Sequence, residues 1–114
     1  MGEIWGDSRE DGPRVSVVIP VFNRPDFLER CLASLIQQDF PLADMEIFVC
    51  DDGSTVDLGP VLKRFQGNLP QIKFLRRDLS KGPAAARNMG IRHCKAPIIA
   101  TIDSDVICAP DFLR

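Results

Sequence analysis

The 114-residue sequence predicts an α/β fold: a three-layer α/β/α domain around a mostly parallel sheet with strand order 3-2-1-4. Two observations predict it. Apolar runs rich in β-branched residues alternate with segments whose apolar residues recur at helical spacing, which is typical of a parallel sheet with crossover helices. The runs are also continuous rather than alternating, which indicates strands buried on both faces. A chain of this length supports one hydrophobic core.

The elements follow one another at regular intervals. The first strand closes at Pro20, and the helix after it opens at Pro25 with acidic residues in its first turn. The later strands end in polar or turn-forming residues in the same way. The predicted strands cover 15–20, 45–50, 72–76 and 97–102, and the predicted helices cover 25–38, 56–66 and 82–94.

Residues 1–13 are predicted to be a flexible lead-in, and residues 14–114 the folded domain. The lead-in is acidic and has no apolar core, so it does not resemble a secretory signal. No apolar run reaches the roughly 18 residues of a membrane span. The net charge of −2 offers no basic surface for a nucleic acid or an anionic membrane.

The cysteines indicate a reducing compartment. None lies in a C-x-x-C pair, so we expect buried free thiols in a cytoplasmic protein. The single histidine, His93, is expected at the C-terminal end of the third helix as a cation rather than as a base. The four cysteines are Cys31, Cys50, Cys94 and Cys108.

A polar segment follows each predicted strand. These segments are PVFNR, DDGS, RDLSKG and DSD, in chain order. In open parallel sheets, ligands bind outside the carboxyl ends of the strands. The sequence therefore predicts one site to which all four segments contribute.

Each polar segment has a functional and a structural interpretation. Asp103 and Asp105 suit a hard cation such as Mg²⁺ or Mn²⁺, but either could cap a following turn. Asp51 or Asp52 could accept the imide N–H of a uracil ring, or form an Asx-turn. Asn23 alone is best interpreted as a helix N-cap. Neither a dinucleotide-binding nor a P-loop glycine motif is present.

Four motifs in order resemble the family 2 glycosyltransferases. They are VSVVIPVFNRPDFLERCLASLIQQ, EIFVCDDGSTVD, KGPAAARNMGI and IIATIDSDVICAPDFL, and the resemblance covers about residues 14–114. The resemblance implies the donor-binding half of a GT-A fold and inverting transfer from a nucleotide-diphospho-sugar, with a UDP-sugar favoured. It also implies an acceptor that is a saccharide, a lipid or a protein.

The resemblance also implies roles for individual residues. Asp105 matches the metal-binding carboxylate, with Asp103 as its partner, and the metal would be Mn²⁺ or Mg²⁺. Asp52 matches the residue that contacts the base, and Phe22 stands where the family often has Tyr. The implied donor-binding residues are Pro20, Val21, Phe22, Asn23, Asp51, Asp52, Gly82, Arg87, Asn88, Asp103 and Ser104.

The family's general base is expected downstream of Arg114, so we expect the chain alone to be inactive in transfer. A full-length protein would be cytoplasmic or peripheral to the inner face of the membrane. Two alternatives remain open: a non-catalytic nucleotide-binding or interaction module, and a haloacid-dehalogenase-like phosphatase fragment with Asp103 as nucleophile. The fourth strand is expected at a sheet edge, where a homodimer partner or the lead-in with Ile4 and Trp5 would cover it.

Overall fold

The computed structural model describes residues 12–69, 71–108 and 110. It contains four strands, three α-helices and one short 3-10 helix in these residues. The strands are β1 (Val15–Val21), β2 (Met45–Asp52), β3 (Ile72–Arg77) and β4 (Ile98–Thr101), and the helices are α1 (Pro25–Ile36), α2 (Gly59–Phe65) and α3 (Pro83–Ile91), with the 3-10 turn at Leu42–Asp44.

All four strands are parallel and lie in the order β3-β2-β1-β4, which confirms the predicted order 3-2-1-4. Helices α1 and α2 pack against one face of the sheet, and α3 packs against the other. Because all four strands are parallel, their carboxyl ends lie at one edge of the sheet. The predicted site residues therefore lie at that edge.

The core is built where the sequence predicts it. The buried residues of α1 are Leu28, Cys31, Leu32, Ser34 and Leu35, and the apolar ones among them pack on the odd-numbered residues of β1 and β2. The opposite face is smaller, because α3 offers mainly Ala86 and Gly90 to the sheet. Helix α3 consequently lies close to the backbone of the sheet.

The prediction that the strands are buried on both faces is correct for the central strands and wrong for the edge strands. Every residue of β1 and β2 is buried. In β4, Ile98 is 63% exposed and Ile99 is 43% exposed, and β3 exposes Lys73 and Phe74. The difference arises because the helices pack mainly on the two central strands and leave these side chains of the edge strands uncovered. The self-association predicted from this edge stays a prediction, and Ile4 and Trp5 lie outside the described residues.

All three α-helices are shorter than predicted, and α1 ends at Ile36 rather than at residue 38. Helix α2 begins at Gly59 rather than at residue 56, because Pro60 is tolerated in the first turn of a helix but would lack the N–H group that a second turn needs. Helix α3 ends at Ile91, where His93 N donates to the Gly90 carbonyl in a tighter turn. The His93 ring lies just beyond this end, with Nδ1 2.9 Å from the Met89 carbonyl, as its predicted position requires.

The free thiols agree with the prediction. All four cysteines are unpaired, and three are buried; Cys94 is half-buried. Burial raises the pKa of Cys31 to about 12 and that of Cys50 to about 12, with smaller contributions from neighbouring charges. These two thiols therefore stay protonated at neutral pH.

Glu46 is a buried charge that the sequence did not reveal. It lies in β2 and is 1% exposed. Its carboxylate accepts hydrogen bonds from the Ser16 hydroxyl and from Lys95 N at 2.9 Å, and Lys73 Nζ lies 3.9 Å away. These contacts fasten the segment after α3 to the sheet, far from the carboxyl ends of the strands.

Candidate functional site

One cleft opens at the carboxyl ends of the strands, with a volume of about 350 Å³. Its walls come from the end of β1, the end of β2, the start of α3 and the segment after β4. The lining residues are Pro20, Val21, Phe22, Asp52, Pro83, Arg87, Asp103, Ser104 and Asp105. All of these except Pro83 belong to the set that the sequence predicts.

Phe22 and Asn23 follow β1 but differ in what they contact. Phe22 is 49% exposed and lines the cleft. Asn23 has a positive φ of 55°, and its Oδ1 accepts hydrogen bonds from Thr55 N at 2.7 Å and Val56 N at 3.2 Å. The N-cap interpretation of Asn23 is therefore wrong. Helix α1 instead has Arg24 at its N-cap position, without a capping side-chain bond.

Asp52 ends β2 at the floor of the cleft and is 4% exposed. Its Oδ1 accepts from Lys81 N at 2.9 Å, and its Oδ2 accepts from the Ser80 hydroxyl and from Gly82 N, both at 2.8 Å. Burial acts to raise the pKa of this carboxyl, but the three hydrogen bonds outweigh it and lower the pKa. Asp52 is ionised at neutral pH and ties the loop before α3 to the sheet.

Asp51 points away from the cleft. Its Oδ1 accepts from Ser54 N at 2.9 Å, and its Oδ2 accepts from Arg76 Nη1 at 2.6 Å. The side chain is buried, so the Asx-type interpretation fits Asp51 rather than Asp52. The donor contact that the resemblance implies for Asp51 stays a prediction.

The segment after β4 holds the two exposed carboxylates between buried anchors. Ile102 N donates to the Val18 carbonyl at 3.0 Å, and Cys108 N donates to the Ser34 hydroxyl at 3.0 Å. Between these anchors, Asp103 and Asp105 are both exposed at the cleft wall. The segment 102–108 is thus fixed at both ends, and the D-S-D loop within it, residues 103–105, keeps its carboxylates open to a ligand.

Arg87 is a cation in the cleft lining. It lies one turn into α3, and its Nη1 is 3.6 Å from Asp103 Oδ1. Gly82, at the N-cap of α3, has φ 98° and open space where a side chain would stand, and no side chain caps this helix. Unbonded N–H groups and the helix dipole at such an end favour an anion. Gly82 and Asn88 themselves lie outside the cleft lining, and their contact with a donor stays a prediction.

The acidic residues fit a hard cation only in part. Within the described residues, no group of three or more His, Cys, Asp or Glu side chains is arranged to hold a metal. Asp103 and Asp105 supply two oxygen ligands, the type that Mg²⁺ and Mn²⁺ prefer. A cation here would need further oxygens, and a bound diphosphate would supply them.

The fold and the cleft define a doubly wound α/β protein whose ligand site lies at the carboxyl ends of its parallel strands. The chain belongs to glycosyl transferase family 2, whose family model matches residues 16–114. This membership confirms the resemblance and favours the glycosyltransferase over the phosphatase alternative.

Individual relatives agree with the family. The chain is 39% identical over 103 residues to validoxylamine A glucosyltransferase of Streptomyces hygroscopicus subsp. jinggangensis, covering 90% of this chain and 24% of that protein. It resembles S. aureus TarS (residues 1–349) in complex with UDP at a TM-score of 0.82 and 27% identity, covering 88% of this chain and 30% of that one. The chain thus spans about a quarter of the curated glucosyltransferase.

A second solved relative contains a metal. The mannosyltransferase PcManGT from Pyrobaculum calidifontis, in complex with GDP-Man and Mn²⁺, matches at a TM-score of 0.74 and 28% identity. The alignment covers 82% of this chain and 28% of that one. No helix in the described residues is long and apolar enough to cross a membrane.

Sequence reasoning missed the residues that support the site. Pro83 lines the cleft, and Ser34, Arg76 and Ser80 hold the cleft residues or their immediate neighbours. A Pro at the start of a helix, as in KGPAAA, was a usable signal for Pro83. Ser80 lies in the predicted polar segment RDLSKG but was not singled out, and Ser34 and Arg76 have no local signal, because their partners lie 74 and 25 residues away.

Proposed function

We propose that this chain is the donor-binding part of a glycosyltransferase that binds a nucleotide-diphospho-sugar in the cleft, for inverting transfer to a saccharide, lipid or protein acceptor. One observation carries the proposal: eight of the predicted site residues line a single cleft. Aromatic, acidic and cationic side chains meet there beside an uncapped helix N-terminus. These are the groups that a base, a metal and a diphosphate require.

The nucleoside end of the donor would lie against Phe22 and Asp52, with UDP favoured over GDP. The exposed Phe22 ring offers a stacking face. Asp52 Oδ1 accepts one hydrogen bond, from Lys81 N, and a carboxylate oxygen can accept two. One acceptor position of the ionised carboxylate therefore remains for the imide N–H of uracil.

The diphosphate would lie between Arg87, the N-terminus of α3 and the D-S-D loop. Asp103 and Asp105 would hold Mn²⁺ or Mg²⁺ together with phosphate oxygens. Such a cation acts as a Lewis acid that neutralises charge developing on the departing diphosphate. Arg87 and the N–H groups of α3 would neutralise further charge, and the Ile102 and Cys108 anchors would keep the loop in place. The four free thiols fit a cytoplasmic location, because a reducing compartment preserves them.

Titration calorimetry of the chain with UDP, GDP and CDP, each with Mn²⁺ and with EDTA, tests the proposal. We expect UDP to bind most tightly, and Mn²⁺ to strengthen its binding. Asp105→Asn should reduce the gain from Mn²⁺, and Asp78→Asn is its matched control, because the side chain of Asp78 is 95% exposed and lies outside the cleft lining. Equal affinity for UDP in Mn²⁺ and in EDTA would contradict the metal site, and no binding of any nucleotide would overturn the proposal.

A further inference from the structure

Asn23 joins the loop after β1 to the turn after β2, next to the cleft residues Phe22 and Asp52, without lining the cleft itself. Its Oδ1 accepts from Thr55 N at 2.7 Å, Thr55 Oγ1 at 3.2 Å and Val56 N at 3.2 Å. Its own backbone N donates to the Ser54 hydroxyl at 2.8 Å. These hydrogen bonds connect the loop after β1 with the turn after β2, residues 53–56, between positions 31 to 33 residues apart in the sequence.

The backbone of Asn23 has the conformation that this connection needs. Its φ of 55° is left-handed, a region that Asn adopts more readily than most residues with a side chain. Phe22 immediately precedes it and is the exposed ring of the cleft. The direction of the chain at Phe22 therefore depends on the residue whose side chain is fastened to the turn.

The turn itself is fixed to the sheet. Ser54 N donates to Asp51 Oδ1 at 2.9 Å, and Arg76 Nη1 donates to Asp51 Oδ2 at 2.6 Å and to the Ser54 carbonyl at 3.1 Å. Asp51 is 1% exposed, so the Asp51–Arg76 pair is held with little freedom on that side. The turn is thereby fixed to β2 and β3, and Asn23 is fixed to the turn.

We propose that Asn23 is a positioning residue: it holds Phe22 at a set distance and orientation from Asp52, and so forms the nucleoside-binding part of the cleft before the ligand arrives. Asp52 follows Asp51 in β2, and therefore belongs to the same rigid unit. Fixing both binding groups in the free protein removes an ordering cost from binding. This inference rests on the proposed function, because it concerns the same cleft.

The proposal predicts different effects on the binding of UDP and of inorganic pyrophosphate, which a general stabilising role of Asn23 does not predict. Asn23 fixes the groups facing the nucleoside, whereas Arg87 and the N-terminus of α3, which face the diphosphate, have no part in its hydrogen bonds. Loss of the Asn23 side chain should therefore weaken binding of UDP and leave binding of inorganic pyrophosphate with Mn²⁺ unchanged. A protein that is merely less stable would weaken or retain both.

The test uses two variants and a matched control. Asn23→Gly keeps the positive φ and removes the acceptor, while Asn23→Asp keeps an acceptor oxygen. Asn68→Gly makes the same change at an exposed position near the opposite edge of the sheet, before β3. The measurements are backbone amide exchange at Thr55 and Val56, and calorimetric affinity for UDP and for pyrophosphate, each with Mn²⁺.

In Asn23→Gly we expect exchange at Thr55 and Val56 to accelerate by about tenfold, and the Kd for UDP to rise by about fivefold or more. Pyrophosphate affinity should not change, Asn23→Asp should restore protection at Thr55 and Val56, and Asn68→Gly should behave as the parent chain. Retained protection, unchanged UDP affinity, or equal weakening of UDP and pyrophosphate would overturn the proposal. If the parent chain bound neither ligand, the proposed function would fail, and the exchange rates would still decide whether Asn23 holds the turn.

Discussion

Replacement of Asp52 by asparagine tests how the cleft floor is held. The carboxylate accepts three hydrogen bonds, from Ser80, Lys81 and Gly82, and all three donors belong to the loop before α3. An asparagine side chain would offer one oxygen and one NH₂ group of nearly the same shape. With its oxygen at the Oδ2 position it keeps two donors satisfied, and its NH₂ group then faces the N–H of Lys81.

The expected loss of stability in Asp52→Asn follows from these contacts. A hydrogen bond to a charged group contributes about 1.5–3 kcal/mol to stability. Asp52→Asn loses one such bond, opposes two donors and removes the charge from the two bonds that remain. We therefore expect the free energy of unfolding to fall by about 2–4 kcal/mol, a large part of the roughly 5–15 kcal/mol typical of a domain.

The assay is urea unfolding at several pH values. The pKa of Asp52 is lowered on folding, so its contribution is complete above the unfolded pKa and is lost as the pH falls through the folded value. The difference in free energy of unfolding between the parent and the variant should be largest above about pH 5 and should decrease below about pH 4. Asp78→Asn, at a 95% exposed side chain, should change stability by no more than about 0.5 kcal/mol. A loss for Asp52→Asn as small as this control, or a difference independent of pH, would refute the reasoning.

Two further substitutions test the packing around the site. Gly90→Ala places a Cβ 2.6 Å from Cys50 Sγ, so we expect a loss of about 1–3 kcal/mol in urea unfolding despite a better helix propensity, whereas Gly67→Ala, with nothing within 4 Å, should be nearly neutral. Ser34→Ala leaves the N–H of Cys108 without its partner and should cost about 1–3 kcal/mol. It should also reduce the gain in UDP affinity from Mn²⁺, and an unchanged gain would show that this anchor does not hold the D-S-D loop.

The parts of the fold set by local pattern could be predicted from the sequence. The parallel sheet followed from the alternation of elements, and the strand order followed from the doubly wound class that this alternation indicates. The apolar face of α1 followed from its helical period. Helix ends were predicted less well. Helix α2 begins late because Pro60 is tolerated only in the first turn of a helix, a local signal that the predicted start at residue 56 overlooked.

The candidate site, like the fold, has features that could be predicted from the sequence and features that could not. Which residues line the cleft was predictable, because polar segments at the ends of parallel strands must meet at one edge. The residue pattern alone did not decide which acidic residue of the pair faces the cleft, since Asp51 and Asp52 are adjacent in β2 and point to opposite faces. Only the resemblance singled out Asp52. Arg76 bonds to Asp51 and Ser80 bonds to Asp52. Although Ser80 lies in the polar segment RDLSKG, nothing in the sequence around either residue indicates which carboxylate it would reach.

The charges of the cleft determine how a diphosphate would bind. The three hydrogen bonds of Asp52 compensate its charge, and Arg87 Nη1 lies 3.6 Å from Asp103 Oδ1. Among the described residues that line the cleft, Asp105 has no comparable partner for its negative charge. The pKa of Arg24 is raised, mainly by its hydrogen bond to Asp26 and further by the charge of Asp105. Arg24 lies outside the cleft lining, however, and would do little to offset repulsion of a phosphate inside it.

Asp105→Asn should therefore change UDP affinity in opposite directions with and without metal. In Mn²⁺ the variant loses a ligand to the cation and should bind UDP more weakly. In EDTA it loses a repulsive charge, worth about 1 kcal/mol at a separation of roughly 5 Å in a water-like dielectric, and should bind UDP about fivefold more tightly. Asp44→Asn, which removes the same charge at the opposite edge of the sheet, should change neither affinity. Weaker binding in both conditions would show that Asp105 stabilises the cleft itself and does not act through a cation.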